Sequence, residues 1–243
     1  MRENIHKIFV FLKFLYYLSG EVAMKQHYSR YYYSGIAAAL FALAMFWICA
    51  SAATASEIHD AVGLSNIAKI EELLKANPEC VNEYNDRGQT PLLMWINPSR
   101  NLDVIKLLLE HKADPNAPMK DFSKETPMHM ACQWGLSDVV ELLLEKGANP
   151  RCRDHDGATP IFFAAGGNHA QIVKRLLGLG INVNDIEHDK TIVHLAAKYG
   201  AIDVLRMLLD MKADPNIHDV DNSTPLHYAA GWLWGGPNFF GQN

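Results

Sequence analysis

KETPMHMACQWGLSDVVELLLEKGANP, residues 124–150, holds the unit from which most of this chain is built. Thr126 stands before a short apolar run, where its hydroxyl can serve backbone N–H groups that have no partner inside a helix. Pro127 at the first helical position gives up no bond it would have made. A second apolar block, DVVELLLE, follows and leads into the tight turn KGANP.

The same signals recur along the chain. Helix starts read GQTPLLM, KETPMHM, GATPIFFAA, DKTIVHLAA and NSTPLHYAA, with Thr90, Thr126, Thr159, Thr191 and Thr224 at steps of 36, 33, 32 and 33 residues. Ser56 lies 34 residues before Thr90, with His59 and Ala61 in phase. The second blocks read IAKIEELL, DVIKLLLE, DVVELLLE, QIVKRLLG and DVLRMLLD, and the turns HKADPNA, KGANPRC, LGINVND and MKADPNI. One such unit cannot cover its own apolar face, so it must stack on neighbours, and three or more are needed. Leu142, Leu143 and Leu144 are expected to bury the second helix. The pairs Ala164-Ala165, Ala196-Ala197 and Ala229-Ala230 let first helices approach closely. Residues 56–230 therefore predict an all-α solenoid of about five repeats and a partial sixth, with helix starts at 56, 90, 126, 159, 191 and 224. The second copy, with Leu93, Trp95-Ile96 and extra residues around Asn97-Pro98-Ser99, should be locally irregular. Thr191 is followed by Ile192 in place of Pro.

This pattern resembles the ankyrin repeat family. The resemblance implies helix-turn-helix units joined by β-hairpin fingers and non-covalent recognition of a protein partner. Contacts are then expected from the fingers and from the concave face of the inner helices. Carried onto this chain, the fingers offer Tyr84, Arg87, Lys120, Phe122, Arg153, His155, His188, Lys190 and His218. The inner-helix ends offer Trp134, Tyr199 and Trp232, with Gly167 in phase. Aromatic and Arg side chains are typical interface anchors. For Trp134 and Tyr199 packing on an adjacent finger remains the alternative, and for Trp232 capping of the array. His155, His188 and His218 form a row that can charge near pH 6.

The histidines His59, His129, His194 and His227 share one repeat position, three after the Thr or Ser, and so serve the repeat. The resemblance implies that they tie neighbouring units by hydrogen bonds. His169, in GGNHAQIV, belongs to the turn between helices. No zinc spacing, HExxH or G-x-S-x-G elbow occurs, and Gly166-Gly167 is a lone glycine pair. The expectation is a non-enzyme without cofactor or metal. Cys132 occupies an alanine position and should pack in the core. Cys80, Cys132 and Cys152 cannot all pair with one another within the chain.

The net charge of −5 is unevenly spread. Residues 56–243 carry 17 Lys and Arg against 25 Asp and Glu, whereas residues 1–55 carry 5 against 2. An acidic body argues against nucleic acid, which needs a basic face. Residues 24–55 read as an export signal: Lys25 and Arg30, an uncharged run from Ile36 to Ala50, and Ala53-Thr54-Ala55 before Ser56. The alternative is a retained anchor through residues 36–55. Residues 1–23 form a doubtful extension, since Met24 alone would start a well-formed signal. At the other end, residues 231–243 place Trp232, Trp234, Phe239 and Phe240 where a polar cap belongs. Improvised capping, truncation and docking on a partner all remain open. Three functions are therefore carried forward: an exported or membrane-tethered binding scaffold, a fragment of a longer ankyrin-containing enzyme or secreted effector, and a purely structural anchor with residues 36–55 retained in the membrane.

Overall fold

The computed structural model describes residues 57–98, 101–184 and 190–232. The chain divides into two units at residues 54 and 55, and every described residue lies in the second. The export signal or anchor, the extension before Met24, His188 and residues 233–243 fall outside the described residues. So does the side chain of Trp232.

Helices alternate between two rows. The first row is α1 (57–63), α3 (Pro91–Trp95), α5 (Pro127–Gln133), α7 (Pro160–Gly166), α9 (Ile192–Lys198) and α11 (Pro225–Trp232). The second row is α2 (Ile67–Ala76), α4 (Leu102–Glu110), α6 (Ser137–Glu145), α8 (Ala170–Leu177) and α10 (Ile202–Asp210). First-row helices stack on first-row helices and second-row on second-row. This is the expected all-α solenoid. The fingers between repeats are tight turns, with no strand among the described residues and one bridge position at Lys190.

Four of the repeats turn at the same place. Ser65, Gly135, Asn168 and Gly200 all adopt positive φ at the end of a first-row helix. The amide after each donates back into the last turn, as in Leu136 to Ala131, His169 to Ala164 and Ala201 to Ala196. These bonds satisfy carbonyls that the helix end would leave orphaned. Thr191 starts α9 without a proline, and His194 completes a capping box with it, as His129 does with Thr126.

The core is a set of columns, one residue per repeat. Leu92, Met128, Ile161 and Val193 form one, and Leu108, Leu143, Leu176 and Leu208 another, all buried. Of the Leu142–Leu144 triplet only Leu143 is fully buried, because on this short helix the flanking two lie off the buried stripe. Ala131, Ala164 and Ala196 are closed off completely, which fits close stacking of the first row. The second copy is irregular as expected: α3 has five residues, and Trp95 and Ile96 fill the space that small residues hold elsewhere. The Trp95 indole N–H donates to the Asn101 carbonyl at 2.9 Å.

Candidate functional site

The repeated histidines are straps between units. His59 Nε2 lies 2.9 Å from the Gln89 carbonyl, His129 Nε2 3.1 Å from Ala158 and His194 Nε2 3.0 Å from Ser223. Each acceptor is the residue just before the next helix-start threonine. On the near side, Nδ1 of His129 and of His194 accepts the backbone N–H of Thr126 and of Thr191, each at 3.2 Å. An accepting Nδ1 leaves the proton on Nε2, so the ring donates onward to the carbonyl. Burial lowers the His129 pKa, partly opposed by its bond to Ala158. The side chain is therefore a neutral, fully committed link.

A second clamp, absent from the sequence reading, surrounds His169. Its Nε2 lies 3.1 Å from the Gln133 carbonyl of the preceding repeat. A Cβ on Gly135 would come within 2.4 Å of the ring, and one on Gly167 within 2.6 Å. Of the Gly166-Gly167 pair, Gly167 thus belongs to this clamp. Asparagines supply a third link: Asn82 donates to Lys112 O and accepts from Asp114 N, and Asn116 does the same with Gly147 and Asn149. Arg151 replaces the asparagine one copy on and reaches the Gly180 carbonyl at 2.8 Å. The recurrence of Asn82 and Asn116, 34 residues apart, was the available signal.

The finger residues pair across repeats. Lys120 Nζ sits 3.9 Å above the Tyr84 ring, whose hydroxyl donates to the Pro118 carbonyl at 2.9 Å. Phe122 stacks on His155 with centroids 3.8 Å apart, yet remains 76% exposed. His155 Nδ1 lies 3.2 Å from Asp156. Arg153 turns inward to donate to Gly157 at 2.7 Å, closing its own finger. Lys190 lies 5.6 Å over the Tyr228 ring, and Arg87 and His218 are exposed. At the first-row ends Trp134 is 47% exposed, whereas Tyr199 is half-buried with Lys198 over its ring at 5.2 Å.

Cys80, Cys132 and Cys152 are free thiols. Burial pushes all three thiols up, Cys80 to about 11, so none is a thiolate near neutral pH. Cys152 Sγ lies 3.2 Å from Thr126 Oγ1 and 3.6 Å from His129 Nδ1, but that nitrogen already accepts the Thr126 amide. Among the described residues no group of three His, Cys, Asp or Glu could hold a metal ion. No helix among them is long and apolar enough to cross a membrane.

Glu125 sits beside Thr126 at the base of the second finger. Burial raises its pKa first, and the carboxylates of Asp154 and Asp121 add to this. A raised folded value means that ionisation opposes folding at pH above it and contributes nothing below the unfolded value. Glu125→Gln should therefore raise the melting temperature at about pH 7 and leave it unchanged near pH 4, read by thermal melts at both.

A family model described as "Ankyrin repeats (3 copies)" matches residues 58–154 and again 146–219. The chain belongs to the ankyrin-repeat family. Human inversin is 30% identical over 185 residues, which is 74% of this chain and 17% of inversin. The ankyrin repeat protein nuc-2 of Neurospora crassa is 32% identical over 176 residues, 71% of this chain and 16% of nuc-2. A putative fowlpox virus ankyrin repeat protein, FPV014, is 27% identical over 177 residues, 71% of this chain and 39% of that one. The chain thus spans less than a fifth of the first two relatives. Ankyrin-repeat proteins are in general protein-interaction scaffolds.

Proposed function

We propose that this ankyrin-repeat chain is a non-catalytic scaffold that binds a protein partner through its finger tips and the concave face of its first-row helices. The observation that carries the reading is the contrast between committed and uncommitted side chains. The histidines, asparagines and clamp glycines are used up in joining repeats, whereas Phe122 and Trp134 stay largely open to solvent. Large exposed aromatics on a rigid scaffold suit interface anchoring. The acidic repeat body speaks against nucleic acid as the partner. Phe122→Ala with Trp134→Ala should remove specifically cross-linked partners while shifting stability by no more than about 1 kcal/mol. A partner set unchanged by the double substitution, or a large loss of stability, would overturn the assignment of these two residues.

The same proposal places the protein outside the cytoplasm or at a membrane, on the strength of residues 24–55. A soluble species beginning at Ser56 supports export. A membrane-bound species beginning at Met1 or Met24 supports an anchor through residues 36–55. Intact mass and amino-terminal sequence from separated cell fractions read this directly, and a soluble cytoplasmic species beginning at Met1 or Met24 refutes both. A second reading, in which the repeats form one part of a longer enzyme or effector, draws support from the small share of inversin and nuc-2 that the chain spans. The reading frame beyond Asn243 decides it.

A further inference from the structure

The repeat provides its own controls for which surfaces are meant to be covered. Leu226 follows the proline of α11, and its counterparts Leu92, Met128, Ile161 and Val193 are all buried. Leu226 is 75% exposed. In the second row, Leu209 of α10 occupies the position of Leu109 and Leu177, which are buried, and of Leu144, which is half-buried, yet is 47% exposed. Leu205 is half-buried where Ile105, Val140 and Val173 are buried. These exceptions fall on the last two described helices, in positions that elsewhere pack against a following repeat. Together they mark an apolar end face, and a solenoid end of this kind requires a cover.

We infer that the cover is the chain's own residues 233–243, LWGGPNFFGQN, laid over Leu205, Leu209 and Leu226. Three observations select this occupant over a second copy. The segment continues directly from α11, so it is tethered to the face and acts at high effective concentration. It carries no Asp, Glu, Lys or Arg, while offering Leu233, Trp234, Phe239 and Phe240. Its eleven residues reach roughly 36 Å when extended, ample for α10, which is about 13.5 Å long. Gly235, Gly236 and Pro237 place a turn signal between the two aromatic groups. Burying aromatic side chains against these leucines covers the face by non-directional apolar contact, which needs no helix.

Amide hydrogen exchange on the full chain tests this, read by peptide mass spectrometry at two protein concentrations. Residues 233–243 are expected to exchange roughly tenfold or more slower than an unstructured peptide, at both concentrations. Replacing Trp234, Phe239 and Phe240 together by Ser should cost α10 and α11 a similar factor of protection. The α4 and α6 amides should keep theirs, since coupling in a solenoid is between neighbours. Exchange of residues 233–243 at the free-peptide rate in the unaltered chain would overturn the proposal without reference to any variant. Protection that appears only at the higher concentration would assign the cover to a second copy and overturn it equally.

Discussion

His129→Ala should destabilise the protein by about 3 kcal/mol, the sum of a lost buried ring and the polar groups it leaves unpaired. The ring is buried, and its removal strips the Ala158 carbonyl, the Thr126 amide and the Thr126 hydroxyl of a partner at once. Its edge-on contact with Phe163, at 5.3 Å, is lost as well. Because the strap joins the third and fourth units, the loss falls in the middle of the array. The substitution should therefore broaden the urea transition as well as move it, since the two halves no longer unfold together. His194→Ala should act in the same direction near the end of the described array. A melting temperature unaltered in both variants would end the structural assignment of the repeated histidines. The pH dependence follows from the lowered His129 pKa. Its folded value lies below the ordinary 6.5, so the unfolded chain takes up a proton first as pH falls. That link contributes fully above the unfolded value and is lost as pH drops from about 6.5 toward the folded one. The acid-side loss should be smaller in His129→Ala, which titration melts would show.

Gly135→Ala should cost about as much, although it adds only one methyl group. Gly135 has φ of +68°, a conformation that disfavours any Cβ. The added carbon would also lie 2.4 Å from His169 Cε1 and Nδ1, so the ring must leave its place and release the Gln133 carbonyl. Strain and a lost cross-repeat bond together amount to about 2–3 kcal/mol. The two contributions separate in a double-mutant cycle. In a His169→Ala background the clash is gone, and Gly135→Ala should then cost only about 1 kcal/mol for its backbone. Equal costs in both backgrounds would mean that the ring does not hold the glycine in place.

Much of the architecture was legible from Thr90, Thr126, Thr159, Thr191 and Thr224 alone, because a repeat states its rule several times. The capping threonines, the buried column through Leu143 and the irregular second copy all lie where their spacing placed them. The candidate surface was less legible. Phase puts Trp134 and Tyr199 at equivalent positions, yet one is largely exposed and the other half-buried with Lys198 over its ring. Arg153 and Lys120 read alike as finger cations, but Arg153 folds back on Gly157 and Lys120 lies on Tyr84. Such choices depend on contacts between copies, which a period cannot encode. The clamp of His169 between Gly135 and Gly167 escaped for the same reason, since its members lie in two repeats.

The straps do not run through every seam. His59, His129 and His194 close the joints from first to second, third to fourth and fifth to sixth unit. Leu93 and Phe162 stand at the same position in the second and fourth units, and apolar side chains make no such bond across the two joints between. The two seams without a histidine strap are tied by asparagines instead, Asn116 to Gly147 and Asn149, and Asn168 to Asp203 and Val204. Under load, those two seams are held from their exposed turns, whereas the three histidine seams are also fastened by a partly buried bond.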